Sequence, residues 1–160
     1  MSLSRSCRTA FVLLTVLSCR GARPPAPTVH TGPAGLEDVV DLPYGTGRVR
    51  WLEGAVAPGG CSWVPGPTDS EVFGDVALDS AGWKTLEGKT GPATARGRVR
   101  VPEAIAEAIF DGTQLAGIAT DGDVRVVEGP RIPLNALLKR AYLAEAVRWK
   151  DVLVLRLASQ

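Results

Sequence analysis

Apolar residues follow a strand-like pattern in four segments of the chain. Residues 152–157 read VLVLRL, an almost continuous apolar run that is typical of a central strand covered on both faces. Residues 72–78 form a second apolar run of strand length. Residues 47–51 and 97–101 alternate polar and apolar side chains, which predicts strands with one buried face.

Two other segments have the spacing of helices. Pro102 can occupy a first helical position, and the pattern behind it predicts a helix to about Phe110. A second helix is predicted over residues 133–147, where Pro133 again occupies the first position. Its apolar face comprises Leu134, Leu137, Leu138, Ala141 and Val147.

Turn signals complete the prediction. Asp121-Gly122 separates residues 115–120 from residues 123–128, and this pair favours a two-residue hairpin because it tolerates positive φ. Residues 79–94 contain several glycines and predict an irregular loop. The fold class that follows is α+β: a mostly antiparallel sheet with two helices, at about 102–110 and 133–147, in one small domain.

The first nineteen residues have the pattern of an export signal. Arg5 and Arg8 precede an apolar run over residues 10–17, and Ser18-Cys19 follows it. The run is too short for a permanent membrane-spanning helix. The basic start and short apolar centre are those of a signal peptide.

The segment Val16-Leu17-Ser18-Cys19 resembles the lipobox of bacterial lipoproteins. The resemblance implies that Cys19 becomes the lipidated first residue of the mature chain and carries a diacylglyceryl group, which is enough for stable anchoring. Arg20 in the next position implies the outer membrane rather than the inner one. The alternative is an ordinary secretory signal cleaved near Gly21, which would release a free domain.

Composition divides the chain into three parts. Residues 1–18 are the predicted signal peptide, residues 19–46 a lipidated cysteine with a Pro/Gly-rich tether, and residues 47–160 the α+β domain. The formal net charge is +1, and removing residues 1–18 takes away two of 18 basic residues and none of the 17 acidic ones. The absence of a basic excess argues against a nucleic-acid partner.

Residues for catalysis or metal binding are scarce. His30, the one histidine, falls in the predicted tether. Cys61 is the one cysteine left with a free thiol in the mature chain, because Cys7 lies in the signal peptide and Cys19 is either lipidated or removed. A zinc site needs more histidine or cysteine side chains at suitable spacing than these two, and a catalytic triad needs a histidine that is held in a rigid site. Residues 82–90 have five residues between glycines where a phosphate-binding P-loop needs four. We therefore predict no metal, no cofactor and no enzymatic activity.

Arginine at alternate positions is the strongest candidate for binding. Three arginines alternate in the segment 96–100 and two in 48–50; they are Arg48, Arg50, Arg96, Arg98 and Arg100. If the two strands pair, up to five guanidinium groups share one face, where like charges repel unless acids or an anionic partner compensate. The candidate partners are lipid phosphate, peptidoglycan carboxylates and an acidic protein surface.

The sequence thus predicts a small, non-enzymatic bacterial lipoprotein in the cell envelope, facing the periplasm from the outer membrane, with a role in binding or assembly. One alternative is a subunit of an exported multi-protein machine, held by edge-strand pairing or by a disulfide from Cys61. A further alternative is a small envelope or secreted hydrolase that uses carboxylates or Cys61.

Overall fold

The part of the chain that the structure describes forms an antiparallel sheet of eight strands with three α-helices. The computed structural model describes residues 28–45, 47–55 and 70–159, so the predicted signal peptide, Cys19 and Cys61 lie outside the described residues. The elements in chain order are β1 (His30–Thr31), β2 (Val49–Ala55), β3 (Ser70–Ala77), α1 (Ser80–Thr90), β4 (Thr94–Pro102), α2 (Glu103–Ile109), α3 (Gly112–Ala116), β5 (Ala119–Asp121), β6 (Val124–Arg131), β7 (Tyr142–Trp149) and β8 (Val152–Ser159).

The strand order is β1-β2-β3-β8-β7-β6-β4, with β5 paired to β6, and every pairing is antiparallel. The predicted α+β class is therefore confirmed. The apolar run from Val152 lies in β8, between β3 and β7. Leu153 and Leu155 point to one face of the sheet and Val154 to the other, and all three are fully buried.

The first face of the sheet is covered by α1, by a short 3-10 helix at Leu134–Leu137 and by the N-terminal segment 28–45. Leu36 and Val40 of that segment are fully buried. Its backbone is fixed as well, because the Asp41 amide donates to the carbonyl of Leu137. This face therefore depends on residues from three separate parts of the chain.

The predicted tether is corrected for residues 28–45, which belong to the folded domain. Its prolines and glycines indicate an extended linker, but four apolar residues among them enter the core: Leu36, Val39, Val40 and Leu42. Burying one such side chain stabilises the fold by about 1.5–3 kcal/mol. That gain outweighs the preference of the surrounding residues for an open chain.

The second face is covered by α2 and by the antiparallel pair β4–β6. Val99 and Val101 of β4 pack in one apolar cluster with Phe73 of β3 and Val154 of β8. Strand β6 pairs with β7 only at Arg131↔Val147. Because the pairing with β7 ends there, β4 and β6 can lie over the second face of the sheet.

The prediction of a helix over residues 133–147 is wrong. Only Leu134–Leu137 form a 3-10 turn, and Tyr142–Trp149 form β7, paired with β8 along its whole length. The helical spacing of the leucines is real, but pairing with the buried strand β8 stabilises the extended form. The local sequence pattern carries no information about that long-range contact.

The loop predicted over residues 79–94 is also corrected, because it contains α1. Asp79 caps the helix by accepting a hydrogen bond from the Gly82 amide at 2.7 Å, and Trp83 and Leu86 are buried. In contrast, the predicted helix at 102–110 corresponds to α2. The predicted hairpin is also present, but its turn lies one residue later: Asp121 ends β5 and pairs with Val124, so the two turn residues are Gly122, at φ +65°, and Asp123. Residues 115–116 of the predicted first strand belong to α3.

Gly129 allows β6 to cross β7 closely, and this yields a stability prediction. A Cβ on Gly129 would overlap the carbonyl oxygen of Arg148, whereas a Cβ on Gly88 in α1 would meet open space. Gly129→Ala should lower the free energy of unfolding by at least about 2 kcal/mol. Gly88→Ala should raise it by about 0.5–1 kcal/mol. Urea unfolding measures both, and equal stability of the two variants would contradict the proposed crossing.

Candidate anion-binding site

The predicted arginine face does not exist as one surface. Strand β2 pairs with β1 and β3, whereas β4 pairs with β6 at the other end of the strand order. The two arginine-bearing strands are therefore not neighbours in the sheet, and their arginines have different surroundings. The expectation of five guanidinium groups on one face is corrected accordingly.

Arg48 is bound within the fold. Its Nη2 donates to Asp75 Oδ2 at 2.9 Å and its Nη1 to Asp111 Oδ2 at 3.1 Å. Asp75 is fully buried on β3 and accepts a further hydrogen bond from Gln114 Nε2 at 3.3 Å. Arg48 therefore neutralises a buried carboxylate and connects β3 to the start of α3.

Burial raises the pKa of Asp75, although Arg48 and Gln114 oppose that shift. The other oxygen of the carboxylate, Oδ1, has no hydrogen-bond partner in the part of the chain that the structure describes. In contrast, the hydrogen bond donated by the Gln114 amide lowers the pKa of Asp111, and Arg48 lowers it further. Asp111 and Gln114 form a capping box at the start of α3.

Arg50 also has an internal partner. Its Nη1 donates to the carbonyl oxygen of Ile109 at 3.2 Å, and Ile109 is the last residue of α2. Such a cation is favourable at a helix C-terminus, where carbonyl groups lack partners within the helix. Arg48 and Arg50 thus fasten α2 and α3 to the sheet, and we assign them a structural role.

The β4 arginines point outward instead. Arg98 lies 3.8 Å from Glu128, and Arg100 lies 2.9 Å from Asp121. The side chains of Arg98 and Arg100 are 67% and 51% exposed. Ion pairs in such exposed positions contribute at most about 1 kcal/mol. These guanidinium groups therefore stay accessible to a ligand.

A cleft of about 240 Å³ lies beside Arg96 and Arg98, between β4, the end of β6 and β7. It is lined by Arg96, Gly97, Arg98, Arg131, Glu145, Ala146 and Val147. Three of the lining side chains are cationic and one is anionic. Neither Arg96 nor Arg131 forms an ion pair within residues 28–45, 47–55 and 70–159.

The single carboxylate of the cleft is already engaged. Glu145 accepts from Arg156 Nη1 at 3.2 Å, and Arg156 also binds the nearly buried Glu71. The local sequence pattern identified neither Glu145 nor Arg131 as a site residue. It ends the predicted strand at residue 128, before Arg131, and places Glu145 in the helix predicted over residues 133–147, where the structure has β7. Strand β6 in fact continues to Arg131, where it pairs with both neighbours.

Two other polar side chains, His30 and Glu103, lie outside the cleft. His30 lies in β1 and stacks on Trp51 at a ring-centroid distance of 4.4 Å. Glu103, the first residue of α2, forms a fork with Arg125, with two N–O distances of 2.7 Å. The described residues contain no group of three or more side chains that could hold a metal ion.

No protein-family model, curated protein or solved structure matches the chain. None of the helices in the described ranges is long and apolar enough to cross a membrane.

The environment of Asp75 predicts a pH effect on stability. Its pKa is higher in the folded protein than in the unfolded chain, so the folded state holds an extra proton between the two pKa values. The stability from this group is therefore present at low pH and is lost as pH rises through that window. When the pH is lowered from about 7 to about 4, the free energy of unfolding of wild type should therefore rise relative to that of Asp75→Asn.

Urea unfolding of wild type and Asp75→Asn across this pH range measures the difference directly. If acidification instead stabilises Asp75→Asn relative to wild type, the effect of Arg48 on the pKa of Asp75 is larger than the effect of burial. That result would contradict the raised pKa of Asp75.

Proposed function

We propose that this protein is a lipid-anchored component of the bacterial cell envelope that binds an anionic envelope component and has no catalytic role. The observation that carries the binding proposal is the cleft at Arg96, Arg98 and Arg131. Two of its guanidinium groups have no carboxylate partner among the described residues. Arg48 and Arg125, in contrast, are bound to carboxylates within the fold.

The chemistry of the cleft favours carboxylate or phosphate groups. A guanidinium group is planar and offers five N–H donors, which suit both of these anions in a two-pronged geometry. A partly enclosed site also screens charges less than an open surface does. Peptidoglycan carboxylates, lipid phosphates and acidic protein surfaces all supply such groups.

An anchor at Cys19 would keep the domain close to the membrane. The nine residues from Arg20 to Thr28 can span at most about 30 Å when fully extended. The folded domain would then reach only components near the membrane surface. We propose the outer membrane, on the periplasmic side, because Arg20 follows the lipidated cysteine.

Removing the two arginines without carboxylate partners should weaken anion binding. The double variant Arg96→Gln, Arg131→Gln should bind its anion several-fold more weakly than wild type does. Co-sedimentation with purified peptidoglycan and with phosphatidylglycerol vesicles measures this binding. Lys139→Gln with Arg140→Gln is the matched control. It removes the same charge from exposed positions away from the cleft.

The two materials distinguish carboxylate from phosphate as the ligand. Both variants keep the same anchor, so its contribution to vesicle binding cancels. An equal loss of binding in the two double variants would show that binding depends only on total charge. Unchanged binding by Arg96→Gln, Arg131→Gln would refute the cleft as the site.

The anchor is tested separately by Cys19→Ala. The wild-type chain recovered from detergent-extracted membranes should begin at Cys19 and carry added acyl mass, and Cys19→Ala should lack that mass and leave the membrane fraction. Intact-mass spectrometry and fractionation measure both. An unmodified soluble wild-type chain that begins near Ala22 would refute the anchor and leave a freely secreted domain.

A further inference from the structure

We infer that β4 is a docking edge for an extended acidic segment of another protein, which adds to the sheet beside β4. The carboxylates of that segment would lie next to Arg96, Arg98 and Arg100. This inference rests on the proposed function and names the class of its partner. Four features of β4 carry it: its position, its rigidity, its charge and the weakness of its present ion pairs.

The first feature is position. Strand β4 is terminal in the order of the described strands and pairs with β6 alone among them. It spans nine residues, Thr94–Pro102. One side of this strand therefore offers backbone N–H and C=O groups that no described strand uses, which is the arrangement that an added strand requires.

The second feature is rigidity. Val99 and Val101 are fully buried and pack against the second face of the sheet. A shift of β4 by one residue would expose both and bury arginines instead, so its register is fixed. Pairing is irregular between Thr94 and Arg96, and Pro102 lacks an N–H. The regular edge thus runs from Arg96 to Val101.

The third feature is charge. Arg96, Arg98 and Arg100 all lie on the outward face of β4 and are exposed. Side chains on one face of a strand are about 6.6–6.8 Å apart. A partner strand with an acid at every second position has the same spacing, so each carboxylate would lie beside one arginine. Arg96 and Arg98 also line the cleft, which such a segment would pass.

The same charge argues against a second copy of this chain as the partner. Two β4 strands side by side would bring arginine against arginine, and like charges in that position destabilise pairing. Arginine on this edge therefore discourages self-association while permitting pairing with an acidic strand.

The fourth feature is that the present ion pairs leave room for a second carboxylate. Arg98–Glu128 at 3.8 Å and Arg100–Asp121 at 2.9 Å are both exposed, and such pairs contribute at most about 1 kcal/mol each. A guanidinium group has five donors. An incoming carboxylate can therefore bind without first breaking a strong internal interaction.

The experiment uses the full chain as recovered from cells and labelled peptides that alternate glutamate and threonine over nine positions. Binding is measured by fluorescence anisotropy. A second peptide has the same composition with its glutamates contiguous. Two further peptides carry backbone N-methyl groups, one on every glutamate and the other on every threonine. Hydrogen exchange of the β4 amides reports where the peptide binds.

Strand addition makes a specific prediction for the methylated peptides, because successive residues of a strand direct their N–H groups to opposite sides. One methylated form should lose at least about tenfold in affinity and the other should keep it. Arg96→Gln, Arg98→Gln and Arg100→Gln together should cost at least about tenfold. The control Lys84→Gln, Lys139→Gln and Arg140→Gln removes equal charge from exposed positions elsewhere and should change affinity by less than about twofold.

The outcomes separate this inference from the proposed function. If both methylated peptides bind as tightly as the parent while the arginine variant loses affinity, strand addition is wrong and anion binding stands. If the arginine variant binds like the control, docking of an acidic strand at β4 is wrong, whereas the proposed function is refuted by unchanged binding of Arg96→Gln with Arg131→Gln to peptidoglycan and vesicles. Tighter binding of the peptide with contiguous glutamates would also overturn the alternating geometry.

Discussion

The structure depends on the burial of β8 on both faces. Its side chains alternate between two apolar clusters, and Leu153, Val154 and Leu155 are fully removed from solvent. A strand without a solvent-facing side requires a layer on each face of the sheet. The N-terminal segment and α1 supply one layer, and β4, β6 and α2 supply the other.

This requirement also explains how the arginines divide into two groups. The helices that cover the second face must be joined to the sheet, and Arg48 to Asp111 and Arg50 to Ile109 make those connections. Arg125 to Glu103 joins β6 to α2 within the second layer. Side chains on the outer surface of that layer are not needed for these connections. Arginines there, on β4 and at the end of β6, are available for an external anion. The candidate site is thus a consequence of the layer arrangement.

Sequence predicted those elements that local chemistry determines. The β8 run, the β3 strand, α2 and the hairpin at Gly122 each depend on residues close together in the chain, and each is present, the hairpin with its turn one residue later than predicted. The errors concern long-range contacts. Residues 142–149 form a strand because β8 is beside them, and residues 28–45 fold because the first face of the sheet needs a cover.

The same distinction applies to the site. Alternation places Arg96, Arg98 and Arg100 on one side of β4, and the structure has them there. Grouping them with Arg48 and Arg50 required knowledge of strand order, which no local pattern contains. Arg131 was missed for a similar reason, since its place in the cleft depends on where β6 meets β7.

The central claim is that the outward arginines bind an anion while the border arginines hold the fold. NMR spectroscopy of the arginine Nε–Hε groups during titration with inorganic phosphate tests this division residue by residue. We expect saturable shifts for Arg96, Arg98 and Arg131 and none for Arg48, Arg50 and Arg125. Equal shifts in both groups, or shifts confined to the second, would contradict the claim.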